Sequence, residues 1–232
     1  MLDKKEEKKA KELRRLASLL HIPVPEAFWT LEVFDKDGKL LQRHHQRSHS
    51  WTRNAYNGLF SVMAGKDMND AALFQGGKLN MKATNGTVYN NPNPWSFSTW
   101  SVDGTIHGYR AIAANDDWGI LVGSGVNAET FEDYELQTKI LEGAGAGQLN
   151  HATSEVHDIS YAALVFKNEL VRYFNNNSGG DIAINEVALV SKPYFPNTEP
   201  MVFSRDHLAS TITVPDTGQV KVTYTVQLTY PA

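Results

Sequence analysis

Val220-Lys221-Val222-Thr223-Tyr224-Thr225-Val226-Gln227-Leu228-Thr229-Tyr230 decides the fold class. Val220, Val222, Tyr224, Val226 and Leu228 alternate with polar residues, the period of two expected of a strand with one face in a core. Upstream lie further strand candidates at 182–191, 162–174, 148–160, 118–122 and 106–114, with a short one at 201–203. Turn-forming clusters separate several of them, Asn175-Asn176-Asn177-Ser178-Gly179-Gly180 and Pro215-Asp216-Thr217-Gly218 being the clearest. Strands punctuated by turns, with few helices between, predict a mainly β domain: an antiparallel β-sandwich or jelly-roll-like fold.

Towards the N-terminus the periodicity changes. Phe28-Trp29-Thr30-Leu31-Glu32-Val33-Phe34 reads as a strand, and Asp35-Lys36-Asp37-Gly38 as a hairpin turn leading to a polar return strand over about 39–48. Residues 51–63 place Trp51, Ala55, Leu59, Phe60 and Met63 at helical spacing, with Gly65 as a stop, so a short internal helix is expected. At the start of the chain, Leu13, Leu16, Ala17 and Leu20 form one narrow apolar stripe on an otherwise charged helix over 3–20, which Asp3 can cap. Pro23 and Pro25 then favour extended backbone. This gives residues 1–25 as a charged helix and proline linker and 26–232 as the β domain. The helix is either an anchoring arm for a partner or an element folded back on its own domain. Residues 64–105 are rich in Asn, Gly, Ser, Thr and Pro, and read as a long loop excursion with one hairpin; Trp95, Phe97 and Trp100 are scattered in it.

Composition narrows the chemistry. The chain of 232 residues is 41% hydrophobic and 21% charged, which is ordinary for a globular protein, and its net charge of −4 speaks against general nucleic-acid binding. With no cysteine, thiol nucleophiles and Cys-based zinc sites are excluded. The first residues alternate Lys and Glu where a signal peptide needs an apolar core, and no apolar run is long enough to span a bilayer, so no membrane partner is expected.

No catalytic constellation emerges. His45 and His49 would share a strand face, but Arg43 and Arg47 beside them oppose a divalent cation, so a solvated or partner-binding face is the better reading and no metal is expected. Asp116, Asp117, Glu129, Glu132, Asp133 and Glu135 could supply the paired carboxylates of a glycosidase, though nothing fixes their separation. Gly123-Ser124-Gly125 lacks the rest of a dinucleotide or P-loop fingerprint and reads as a tight turn at a strand end. His151, His157 and Asp158 have no nameable nucleophile. No cofactor is implied. Trp95, Trp100, Trp118 and Tyr109 could stack on sugars, which makes a carbohydrate-binding module the alternative from another class.

A broader pattern is carried by Val122-Gly123-Ser124-Gly125, Phe131-Glu132-Asp133-Tyr134-Glu135-Leu136 with Ile140, Gly147-Gln148-Leu149, Arg172-Tyr173-Phe174-Asn175, Ile184-Asn185-Glu186-Val187-Ala188-Leu189 and Ser204-Arg205-Asp206. With His49-Ser50-Trp51-Thr52-Arg53-Asn54 upstream, residues 48–230 resemble tailed-bacteriophage virion structural proteins. The resemblance implies a β-sandwich without enzyme activity, located in the virion after folding in the host cytoplasm. Capsid decoration is the preferred role, with a tail or baseplate place as alternative. The implied partners are capsid or tail subunits and further copies of the chain, a trimer first. On this reading Leu13, Arg14, Leu16, Leu20, Trp95 and Trp100 are the candidate partner-binding residues.

Overall fold

The computed structural model describes residues 4–64, 80–89, 108–192 and 199–230. Two antiparallel sheets pack face to face. The larger contains β1 (Val24–Phe34), β2 (Leu40–Arg47), β6 (Asn150–His151), β7 (Asp158–Ala162), β8 (Val165–Asn175) and β11 (Gln219–Thr229), in the order β2-β1-β11-β8-β6, with β7 also on β8. The smaller runs β10-β9-β5, from β10 (Met201–Val214), β9 (Ile182–Ser191) and β5 (Gly119–Gly123). A separate hairpin pairs β3 (Met81–Lys82) with β4 (Val88–Tyr89), and the helices are α1 (Lys4–Leu20) and α2 (Arg53–Ala64). Neither helix is long and apolar enough to cross a membrane.

The alternation predicted for β11 is what builds the core. Val220, Val222 and Tyr224 point inward beside Trp29, Leu31 and Val33 of β1 and Phe174 of β8, and meet Ile184, Val187, Leu208, Ile212 and Val214 of the smaller sheet. The smaller sheet is also covered on its outer side, where Trp118, Leu121, Leu136, Ala188, Val190 and Val202 form a second cluster. Burial on both faces explains why β5, Gly-Ile-Leu-Val-Gly, shows no alternation. The expected antiparallel β-sandwich with an N-terminal and an internal helix is therefore the observed fold.

Several boundaries differ from expectation. Residues 108–114 are not a strand; only Gly108 bridges, to Lys192. The Ile112 carbonyl, with those of Asn115, Trp118 and Ile120, is instead collected by a side chain, Arg172 of β8. Its Nε donates to Ala152 O (2.9 Å), Nη1 to Trp118 O and Ile120 O (3.2 and 3.0 Å), and Nη2 to Ile112 O and Asn115 O (3.3 and 2.6 Å). Every guanidinium hydrogen is thus used on backbone. The predicted strand 148–160 is two short pieces, β6 and β7. The β7–β8 hairpin turns at Ala163-Leu164, both at positive φ (49° and 65°), where Asn-Gly chemistry would be the usual signal. β10 runs eleven residues further than 201–203, with breaks in register after Val202 and after His207.

At the N-terminus, β1 begins at Val24, so Pro25 lies inside a strand and the boundary expected at residue 25 falls within the larger sheet. α1 ends before the prolines act: His21 takes a left-handed φ of 54°, with Ile22 N bonded to Ala17 O (2.9 Å) and His21 N to Ser18 O (3.3 Å), a Schellman closure. The Asp35–Gly38 turn forms as expected, with Gly38 at φ 77°. The excursion contains the β3–β4 hairpin. The capping role of Asp3, the stop at Gly65 and the aromatics Trp95, Phe97 and Trp100 lie outside the described residues.

Candidate partner-docking face

Both helices expose apolar residues; α2 turns polar side chains inward, whereas the single residue that α1 buries is Ala17. α1 lies along the outer end of β1 and β2, held by charge. Arg14 pairs with Glu26 (2.7 Å), and Arg47 reaches Glu26 (2.5 Å), Glu7 (2.8 Å) and Glu6 (3.2 Å). Glu26 is buried, so this network is partly desolvated and the cation pairs are what make its burial tolerable. Of the predicted stripe only Ala17 is buried; Leu13, Leu16 and Leu20 are 53%, 44% and 66% exposed. Arg14 is thus spent on the chain's own sheet, while the three leucines face outward, joined by Leu19 and Ile22.

In α2 the buried side is Asn54, Asn57 and Ser61. Asn54 donates to Lys82 O (2.8 Å) and accepts from Lys82 N (2.9 Å), while Asn57 donates to Asn80 O (2.7 Å), so the helix is seated on the β3–β4 hairpin by amide side chains. Of the predicted apolar side, Leu59, Phe60 and Met63 are exposed and Trp51 and Ala55 half-buried; Tyr56 is exposed beside them. A groove of about 650 Å³ lies between the two helices, lined by Ala10, Leu13, Pro25, Trp51, Tyr56 and Leu59. The sequence showed both stripes but not their direction, because the burial of Asn54, Asn57 and Glu26 depends on partners far away in the chain.

The other candidates separate. Trp118 is buried in the outer cluster, its indole donating to Arg110 O (3.3 Å) beneath the Lys192 ammonium, and Tyr109 packs on the core with its hydroxyl pKa raised by burial. They do not form an exposed sugar-stacking shelf with each other; Trp95 and Trp100 lie outside the described residues. Several of the loop carboxylates are tied to cations: Asp116 to Lys139 (3.4 Å), Glu132 to Arg53, and Asp133 to Arg205 (2.7 Å). Gly123 and Gly125 are required by a close approach rather than a turn. A Cβ on either would stand 2.5 Å from Oε1 of Glu186, a buried carboxylate accepting from Gly125 N (3.1 Å), Thr138 N (2.8 Å), Gln137 N (3.0 Å) and Arg205 Nε (2.8 Å). Arg205 is thereby locked between two carboxylates, Glu186 and Asp133.

Three imidazoles are held below their ordinary pKa of 6.5. Burial is the larger cause in each, with Arg43 beside His45, Arg172 beside His151 and Arg110 beside His157. The unfolded chain therefore binds protons that the folded one refuses. The stability contributed by these groups is present above pH 6.5 and is lost as the pH falls through their depressed folded values. The urea midpoint is expected to drop between pH 7 and pH 5, and the drop should shrink in His151→Gln; a flat profile in the parent protein would contradict this assignment.

Comparison with family models, with curated proteins and with solved structures finds no match for this chain.

Proposed function

We propose that the chain is a non-enzymatic structural component of a tailed-phage virion, a capsid-decoration protein in preference to a tail or baseplate one, whose helical face docks on a neighbouring subunit. The observation that carries the assembly role is the exposed apolar row on each helix, Leu13, Leu16, Leu19 and Leu20 on α1 and Tyr56, Leu59, Phe60 and Met63 on α2. Apolar side chains gain on the order of 25 cal/mol for each Å² removed from water, and two adjacent helices that both turn them outward make a surface completed by association. The virion setting rests on the resemblance of residues 48–230.

Light scattering on the full chain and on L16D/F60D tests the assembly role. A discrete closed oligomer for the parent, a trimer first, and a lower mass for the variant at unchanged melting temperature are expected. Monomers in both at high concentration would overturn it.

A further inference from the structure

We propose that His49, Glu129 and Asp206 form a binding site for a divalent transition-metal cation of the zinc type. One ligating atom of each lies within 4.8 Å of the others, and the three come from distant parts of the chain: the segment after β2, the loop after β5, and the middle of β10. An imidazole nitrogen and two carboxylate oxygens are a donor set for zinc and its neighbours, with a fourth position left for water.

Charge supplies the second argument. Asp206 is fully buried, yet its hydrogen bonds come from neutral donors: Trp29 Nε1 (2.8 Å), Ser48 Oγ (2.7 Å) and Ser204 Oγ (2.9 Å) on Oδ2, and His49 N (2.7 Å) on Oδ1. The guanidinium next to it in sequence, Arg205, is directed to Glu186 and Asp133. Glu129 accepts a long bond from His207 N (3.3 Å). Among the described residues neither Asp206 nor Glu129 takes part in an ion pair with Lys, Arg or His within 4 Å; the pairs nearest in the chain are those of Arg205. Two carboxylates converging in a partly buried place repel each other, and a cation between them removes that repulsion.

The surroundings are those of a held ligand set. Oδ2 of Asp206 is fixed by three donors, whereas Oδ1 takes one, His49 N, and keeps a lone pair for an ion. The Nε2 of His49 lies 2.8 Å from Oε1 of Glu6 on α1, the carboxylate–imidazole contact that orients a ligating ring, so Nδ1 is the nitrogen that would coordinate. The site opens into a groove of about 620 Å³ lined by Lys5, Glu6, Lys9, His44, His45 and His207 together with His49 and Glu129, which gives an ion a path of entry past two lysines. The arginines flanking His45 and His49 in sequence do not oppose the cation as expected. Arg47 is consumed by Glu6, Glu7 and Glu26, and Arg43 pairs with Glu32 at 3.4 Å.

Titration calorimetry with zinc chloride on the chelator-treated full chain tests the site, with calcium chloride as control. One zinc per chain is expected, with no calcium binding, a rise in melting temperature and slower amide exchange in α1, which Glu6 links to the ion. Glu129→Gln and His49→Ala should each weaken zinc roughly tenfold or more, while keeping the metal-free melting temperature within a few degrees. Absence of zinc binding by the parent protein would overturn the proposal. So would zinc affinity that is unchanged in both variants, since that would place the metal on His44, His45 or His207 instead.

Discussion

Arg172→Met is expected to lower the stability of the protein by about 3–5 kcal/mol, the usual consequence of stripping partners from buried charged and polar groups. Arg172 is fully buried, and its pKa is lowered to about 10, mainly by desolvation, so it remains charged at neutral pH. It gives its five hydrogens to five carbonyls, four of which lie between residues 112 and 120. Methionine fills much the same space and can donate to none of them. Arg172→Lys keeps a charge but has fewer, differently directed donors, so it should recover only a part. Urea unfolding gives the magnitude, and amide exchange should show the segment 108–118 opening first. A loss below about 1 kcal/mol would mean that water replaces the guanidinium at this position.

Glu186→Gln should be similarly costly, about 3–5 kcal/mol, through a different route. The carboxylate is the hub where β9, β10 and the loops after β5 meet, accepting three backbone amides and the Arg205 guanidinium. A glutamine has the same shape but turns one oxygen into a donor, facing either Arg205 Nε or amide hydrogens. Asp133 at 2.7 Å remains as the single carboxylate on Arg205. Because a native domain holds only about 5–15 kcal/mol in total, the variant is expected to be partly unfolded at 37 °C. A urea midpoint within error of the parent would show that Asp133 alone compensates Arg205.

Both effects bear on what the sequence reveals. β9 and β11 are legible because their inward residues are apolar and regularly placed, and the Asp35–Gly38 and Pro215–Gly218 turns because their residue types suit the backbone required. β10 was seen only as far as Phe203, since Ser204-Arg205-Asp206-His207 reads as a polar loop until Glu186, Asp133 and Trp29 are brought beside it. The stretch 106–114 has strand-like composition, but its described part bonds to scattered partners, Lys192, Ser154, His151 and the Arg172 side chain, rather than to one neighbouring strand. Leu13, Leu16 and Leu20 read as a stripe, with Arg14 among them. The structure divides that set, assigning Arg14 to the sheet and the leucines to the surface. In the sequence His49 stands beside His45, whereas its carboxylate companions lie 80 and 157 positions onward, a separation no local motif displays.

The place where α1 lies has a mechanical consequence. β1 and β11 run antiparallel from Val24↔Thr229 to Phe34↔Gln219, so the chain enters one strand and leaves the other at the same end of the sheet. Tension drawn through those two exits would load the rungs one at a time and peel the strands apart from Val24↔Thr229, the weakest way to pull a β-pair. Glu26 sits two rungs in and is gripped by Arg14 of α1 and Arg47 of β2, with Gln227 of β11 at 3.3 Å. The charged helix therefore acts as a rivet at the point where a tear would start.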